Sequence, residues 1–209
     1  GNDTFSVIEF AKECYTICSK ISAFMVTVPN YNKPSQEGIF QHFKTISNNV
    51  MFPIMMYNIP SRCGVNMTPH TITKLYNECD NIVAIKEASG SWDQVCEIKT
   101  LCNIKIYAGD DSMVFPIMKL GGYGVVSVLG NLEPKIISEL VKYLSTDRTD
   151  VDVNKMYITL YPMMKKIFIE TNPQPMKYLL KEKNIIKTDD MRLPMIKMTD
   201  LNNINELNK

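Results

Sequence analysis

The stretch IVAIKEASG, residues 82–90, sets a lysine directly after four apolar residues. Ile82 to Ile85 form a continuous apolar run of the length expected for a strand buried on both faces. Four further runs of the same kind flank it: AFMVTV (23–28) and FPIMMYNI (52–59) before it, IKIYAG (104–109) and GVVSV (124–128) after it. The segments between them carry helix signals. Ser35 precedes a pattern with Ile39, Phe40, Phe43 and Ile46 on one face, and Thr68-Pro69 offers a cap and a first-turn proline ahead of Ile72, Leu75 and Tyr76. Ser91 or Asp93 opens a helix bearing Val95, Ile98 and Leu101, while Asp111 opens one that runs to Leu120 and stops at Gly121-Gly122. Strand followed by helix, repeated, gives a parallel sheet with right-handed crossovers, so the class is α/β, either a barrel or a doubly wound sheet. Beyond Val128 the pattern is helical, over 134–146, over 152–170 with an interruption at Pro162, and over 174–184. The polar end LNNINELNK reads as a frayed terminus.

With 209 residues, 45% of them apolar, the chain is long enough for a real core. Its 23 Lys and Arg balance 22 Asp and Glu, and no basic patch stands out, which argues against nucleic acid or an anionic membrane as partner. No run reaches the roughly 18 apolar residues of a spanning helix, and GNDTFSVIEF has neither the basic nor the apolar region of a signal peptide. These features predict a soluble, cytoplasmic protein. The six cysteines form no CxxC pair and are expected to be free thiols; Cys14 and Cys18, four apart on a helical pattern, lack a matching His or Cys pair, so no metal site is expected.

Lys86 stands at the C-terminal end of its strand, where sites form in parallel α/β folds. Desolvation favours the neutral amine, a nucleophile that condenses with a carbonyl to a Schiff base. A lysine that snorkels from the strand end or pairs with Glu87 is the plainer alternative. Tyr57 ends another strand in MMYNIPSRCG (55–64), with Arg62 just beyond: a phenol can relay protons and a guanidinium can clamp a carboxylate, though a packed aromatic would look the same. VTVPNYNKPSQEG (26–38) turns from a strand end through Tyr31 into a helix, and GYGVVSVLGN (122–131) could turn a backbone carbonyl toward a ligand but lacks the GxGxxG spacing of a dinucleotide site. Asp110 and Asp111 read as helix caps, and His42 and His70 have no catalytic partner in register. The 14 methionines read as core filler.

Taken in order, VTVPNYNKPSQEG, YNIPSRCG, IVAIKEASG, YAGDDS, GGYGVVSV and IETNPQPMKYLL resemble dihydrodipicolinate synthase, the pyruvate-dependent lyase of lysine and diaminopimelate biosynthesis, over nearly the whole chain. The resemblance implies a (β/α)₈ TIM barrel of the class I aldolase type, here with about five of its eight βα units. Residues 1–131 would form the later strands of the barrel, and 132–209 its final helix and a C-terminal helical region. Lys86 would form an imine with pyruvate, requiring no cofactor, and Tyr57 would donate and accept protons. Tyr31 would reach into a neighbouring subunit's site within a dimer of dimers. Arg62 would receive the carboxylate of aspartate semialdehyde, and the Val126 carbonyl would line the pyruvate site. Arg62 favours the synthase over the related N-acetylneuraminate and 2-keto-3-deoxy sugar acid lyases; an inactive remnant of the enzyme is the other alternative.

Three features depart from the family pattern. The sequence contains no Gly-Thr-Thr-Gly-Glu segment, whose threonines complete the proton relay, and Gly1-Asn2-Asp3-Thr4 aligns after the third strand. Asn30 replaces an aromatic that stacks across the dimer. Ser6 replaces a glutamate of the lysine-effector site, although Asn2 matches that site. The chain alone is therefore expected to be inactive, with the strands at 23–28 and 124–128 as open edges.

Overall fold

The computed structural model describes residues 1–18, 20–146, 152–201 and 204. Residues 201–209, expected to fray, lie almost wholly outside the described residues. Five strands appear where the apolar runs stand: β1 (Phe24–Thr27), β2 (Ile54–Asn58), β3 (Ile82–Glu87), β4 (Lys105–Ala108) and β5 (Gly124–Val125). They lie side by side in chain order, and β1 through β4 pair parallel. The GVVSV run contributes only its first two residues to β5, because Val126 to Val128 already turn toward a 3₁₀ segment at Leu129–Asn131.

By contacts the chain divides into two compact units, one of residues 1–109 and 120–124, the other of 110–119 and 125–209. In the first, α1 (Thr4–Ile17), α2 (Gln36–Asn49), α3 (Pro60–Cys63), α4 (Pro69–Glu78) and α5 (Trp92–Leu101) alternate with the strands. Three starts follow the sequence: Ser35 accepts from Gly38 N, Thr68 from Thr71 N and Ser91 from Gln94 N, each satisfying a backbone donor that the first turn leaves free. The apolar stripes seat these helices on one face of the sheet, where Val26, Met56, Ile85 and Ile106 form a buried row. Leu101, at the end of α5, is exposed instead of buried.

One irregularity sets the register of the sheet. Ile54 pairs with Ile82, but Met55 pairs with Ala84, so Val83 is an extra residue in β3. Because of that slip Tyr57 lies opposite Lys86 and Asn58 opposite Glu87.

In the second unit a 3₁₀ turn at Asp111–Met113 leads into α6 (Val114–Lys119), followed after β5 by α7 (Pro134–Leu144), α8 (Val153–Lys166) and α9 (Gln174–Glu182). Asp111 does not cap α6 as the sequence suggests. It is buried, and its carboxylate accepts from the Ser127 hydroxyl, from Val128 N at 2.9 Å and from Leu129 N at 3.3 Å, partners 16 to 18 residues away. Pro162 does not end α8, which continues to Lys166. The carbonyl it leaves unmatched belongs to a turn whose Ile158, Tyr161 and Pro162 are all exposed, so water can serve it. All six cysteines are free, and no described helix is long and apolar enough to cross a membrane.

Two positions in the first unit carry measurable consequences. A Cβ at Gly109 would lie 2.4 Å from the Ala88 Cβ and 2.9 Å from the Glu87 carbonyl oxygen, so Gly109→Ala should destabilise the protein by about 3 kcal/mol or more in urea unfolding. His42 is buried, its Nδ1 within 2.9 Å of the Thr4 hydroxyl. Burial pushes it down from 6.5 to about 4. The unfolded chain then takes up the proton first, so the stability tied to neutral His42 is intact above pH 6.5 and declines as the pH falls toward 4, by about 3 kcal/mol in all. His42→Gln, which can keep a bond to Thr4 and does not titrate, should flatten that part of the curve of urea midpoint against pH.

Candidate active site

In parallel strands, register partners share a face, so the pairings Thr27 to Tyr57, Tyr57 to Lys86 and Lys86 to Tyr107 make one row of reactive side chains across the C-terminal ends of β1 to β4. Val26, Met56, Ile85 and Ile106 stand on the opposite face. Lys86 retains 9% of its accessible surface, and its Nζ stands 3.9 Å from the centre of the Tyr57 ring. That contact holds an amine against an electron-rich face and a proton-carrying phenol.

Beyond β2 the chain turns sharply into α3, which starts on Pro60 and ends on Gly64 with φ of 74°, a conformation that costs glycine little. This one-turn helix brings Arg62 back over the strand end. Tyr57, Arg62, Thr27, Asn30 and Cys63 line a cavity of about 280 Å³. The buried Cys63 Sγ donates to the Val28 carbonyl at 3.2 Å, and burial pushes the thiol's pKa up, which favours the protonated donor in that bond. A phenol and a guanidinium line this cavity, and the Lys86 amine packs on the ring of that same phenol. Such a set suits a carbonyl acid, since an amine can condense with its ketone, a phenol can move protons, and a guanidinium can hold a carboxylate in two-point fashion.

The structure brings Tyr57 together with Arg62 at the cavity and with Lys86 across the sheet. Tyr31 does not join them. It follows β1 in a left-handed conformation, φ 66°, with 87% of its surface exposed, an arrangement that a bulky residue adopts only under constraint. Asn2 is exposed just ahead of α1. Val126 belongs to the second unit, just ahead of Ser127, Val128 and Leu129, which Asp111 holds. His70 is exposed, 3.5 Å from Glu97, and His42 serves the packing of α1 on α2. Among the described residues no three His, Cys, Asp or Glu gather to hold a metal.

Two features escape the sequence reading. Tyr107 flanks Lys86 on the side away from Tyr57, and burial pushes its phenol pKa up, with Tyr123 adding to the shift. Glu87, seen in the sequence only as a partner for Lys86, faces the helices and accepts from Asn58 and Gln94. Alternation along β3 would have placed Glu87 on the far face; its partners lie too far along the chain to be read.

Comparison with known proteins gives the family. A model of the dihydrodipicolinate synthetase family matches residues 2–208. The chain is 39% identical over 202 residues to a 4-hydroxy-tetrahydrodipicolinate synthase of Methanococcus maripaludis, covering 97% of this chain and 68% of that one. It is likewise 39% identical over 207 residues to the synthase of Endomicrobium trichonymphae, covering 98% and 69%. Among solved structures, the 4-hydroxy-tetrahydrodipicolinate synthase of Methylacidiphilum fumariolicum SolV superposes with a TM-score of 0.92 at 37% identity, over 99% of this chain and 68% of that one. A monomeric dihydrodipicolinate synthase variant gives 0.90 at 31% identity, over 99% and 69%.

The Asp111 contacts can be tested directly. Asp111→Ala strands two backbone donors and a hydroxyl and should cost about 3 kcal/mol, whereas Asp111→Asn, whose oxygen can still serve Val128 and Leu129, should cost about 1 kcal/mol. Urea unfolding, with amide exchange at Val128 and Leu129, separates the two.

Proposed function

The chain belongs to the dihydrodipicolinate synthetase family, a family of lyases built on the TIM barrel, and from that membership we infer that it condenses pyruvate with aspartate 4-semialdehyde through Lys86. The Lys86 amine adds to the pyruvate ketone and water leaves, giving an imine. Tyr57 takes a proton from the methyl carbon, and the resulting enamine attacks the aldehyde of the semialdehyde, whose carboxylate Arg62 holds. The semialdehyde's own amine then attacks the imine carbon, closes the ring and releases Lys86, so one water is lost overall and 4-hydroxy-tetrahydrodipicolinate is formed. No cofactor enters. The exposed Tyr31 serves the site of a second copy in a homo-oligomer.

The observation that carries this reading is the placement of Lys86: buried at a strand's C-terminal end, in register with Tyr57 and 3.9 Å from its ring. Imine formation draws on residues present in the chain, while the full turnover of the family also uses the threonines of a Gly-Thr-Thr-Gly-Glu segment that the 209 residues lack. The two stages are therefore tested separately. Borohydride reduction in the presence of pyruvate should label Lys86, as read by peptide mapping, and Lys86→Ala should abolish the label. Tyr57→Phe should slow enamine formation, followed by exchange of the pyruvate methyl protons into heavy water, by roughly 10²-fold. Absence of label in folded protein would leave the inactive remnant, and turnover with sugar aldehydes in place of the semialdehyde would favour a related aldolase.

A further inference from the structure

Behind the Lys86 and Tyr57 pair, on the helix-facing side, the next residues along the two strands form a second pair, Glu87 and Asn58. Both are buried, and the reaction above makes no use of them. The Glu87 Oε2 accepts from Asn58 Nδ2 and from Gln94 Nε2, each at 3.1 Å, and its Oε1 accepts from the Ser89 backbone N at 2.7 Å. The amides then close a circuit: Asn66 Nδ2 donates to Gln94 Oε1 at 2.7 Å, and Asn58 Nδ2 donates to Asn66 Oδ1 at 2.9 Å. Asn58 Oδ1 accepts from Met67 N at 3.0 Å.

We propose that Glu87 is a positioning residue for the Lys86 and Tyr57 pair, acting by fixing the direction of this hydrogen-bond circuit; the proposal rests on Lys86 being the imine-forming amine. An amide side chain can be turned end for end, but an ionised carboxylate only accepts. Glu87 therefore compels Asn58 and Gln94 to present their amino groups, which in turn orients Asn66. With the direction set, the residues immediately after Lys86 and Tyr57 are tied to α5 and to the backbone at Ser89 and Met67. The two strand ends are locked to each other by side chains as well as by the ladder.

This directionality makes a sharp prediction about exchange of the carboxylate. In Glu87→Gln the new amino group must face either Ser89 N or the amino groups of Asn58 and Gln94. Asn58 cannot turn over, because Met67 N needs its oxygen. In Asn58→Asp two carboxylates face each other. In the double variant the circuit runs in reverse with its partners satisfied. The introduced glutamine keeps its oxygen for Ser89 N and donates to the introduced aspartate and to a turned Gln94. Gln94 then donates to a turned Asn66, and Asn66 donates to the introduced aspartate, which still serves Met67 N.

The test measures initial rates of borohydride trapping of pyruvate at Lys86, together with thermal melts, for the full chain, both single variants and the double. Each single variant should trap about tenfold more slowly or worse, since small misplacements of reacting groups are costly, and the double should return to within about threefold of the parent. A purely structural role would lower the melting temperature and leave trapping by folded protein unchanged; that result overturns the proposal. So does a double variant that is unfolded or no faster than the slower single, including the case in which neither single folds. Should the parent itself not be labelled, the imine reading falls separately. The circuit is then judged by amide exchange at Met67 and Ser89: protection lost in the singles and regained in the double sustains it as a clamp of the strand ends, and unchanged protection in the singles removes it.

Discussion

The extra residue Val83 in β3 is the constraint on which the site depends. Without the slip Tyr57 would stand opposite Ile85, and Lys86 would fall beside Asn58 in the row that faces the helices. A one-residue shift of register exchanges the faces of a strand. Burying an ammonium in that apolar layer costs several kcal/mol, whereas the ladder hydrogen bond disturbed at a bulge is worth about 1 kcal/mol. The irregular register is therefore the cheaper one, and it is also the one that gives Lys86 a phenol as neighbour.

With faces assigned, the sheet separates two kinds of work. On one side Thr27, Tyr57, Lys86 and Tyr107 line up at the strand ends, and α3 returns Arg62 to the same rim. On the other, Val26, Met56, Ile85 and Ile106 supply apolar burial, which at about 25 cal/mol per Å² holds the helix layer down. The polar pair Asn58 and Glu87 interrupts this second face only at its last register position, where loops arrive and hydrogen-bonding partners exist to offset the desolvation of a carboxylate.

Strand positions can be read from the chain to within a few residues because continuous apolar runs are a local signal, and the caps Ser35, Thr68 and Ser91 because capping is settled within one turn of helix. Lys86, Tyr57 and Arg62 stand out because each closes or follows such a run. The failures share a cause. Asp111 reads as a cap because its true partners lie 16 to 18 residues on, and Tyr107 and Glu87 acquire meaning only through register, which no single segment contains. Pro162 misleads in a different way. Its missing donor is costly in a buried turn, and only the exposure of that turn makes it tolerable.

Glu87 and Asp111 point to a common solution at the ends of the strands. Each is an acidic residue just at or past the C-terminal end of a strand, each is buried, and each accepts backbone N–H groups from the turn that follows or from a turn farther along: Ser89 for one, Val128 and Leu129 for the other. A serine or asparagine could accept one such bond but could also donate, leaving the turn two arrangements of similar energy. A carboxylate has no such choice. In a βα fold the strands are fixed by the sheet, and the segments that leave their ends, such as the one that carries Arg62, need a single conformation. Placing an acceptor-only group where each loop leaves the sheet removes the alternatives at the point of departure, and the burial of a carboxylate that this requires is tolerated because each one accepts several hydrogen bonds, backbone N–H groups among them.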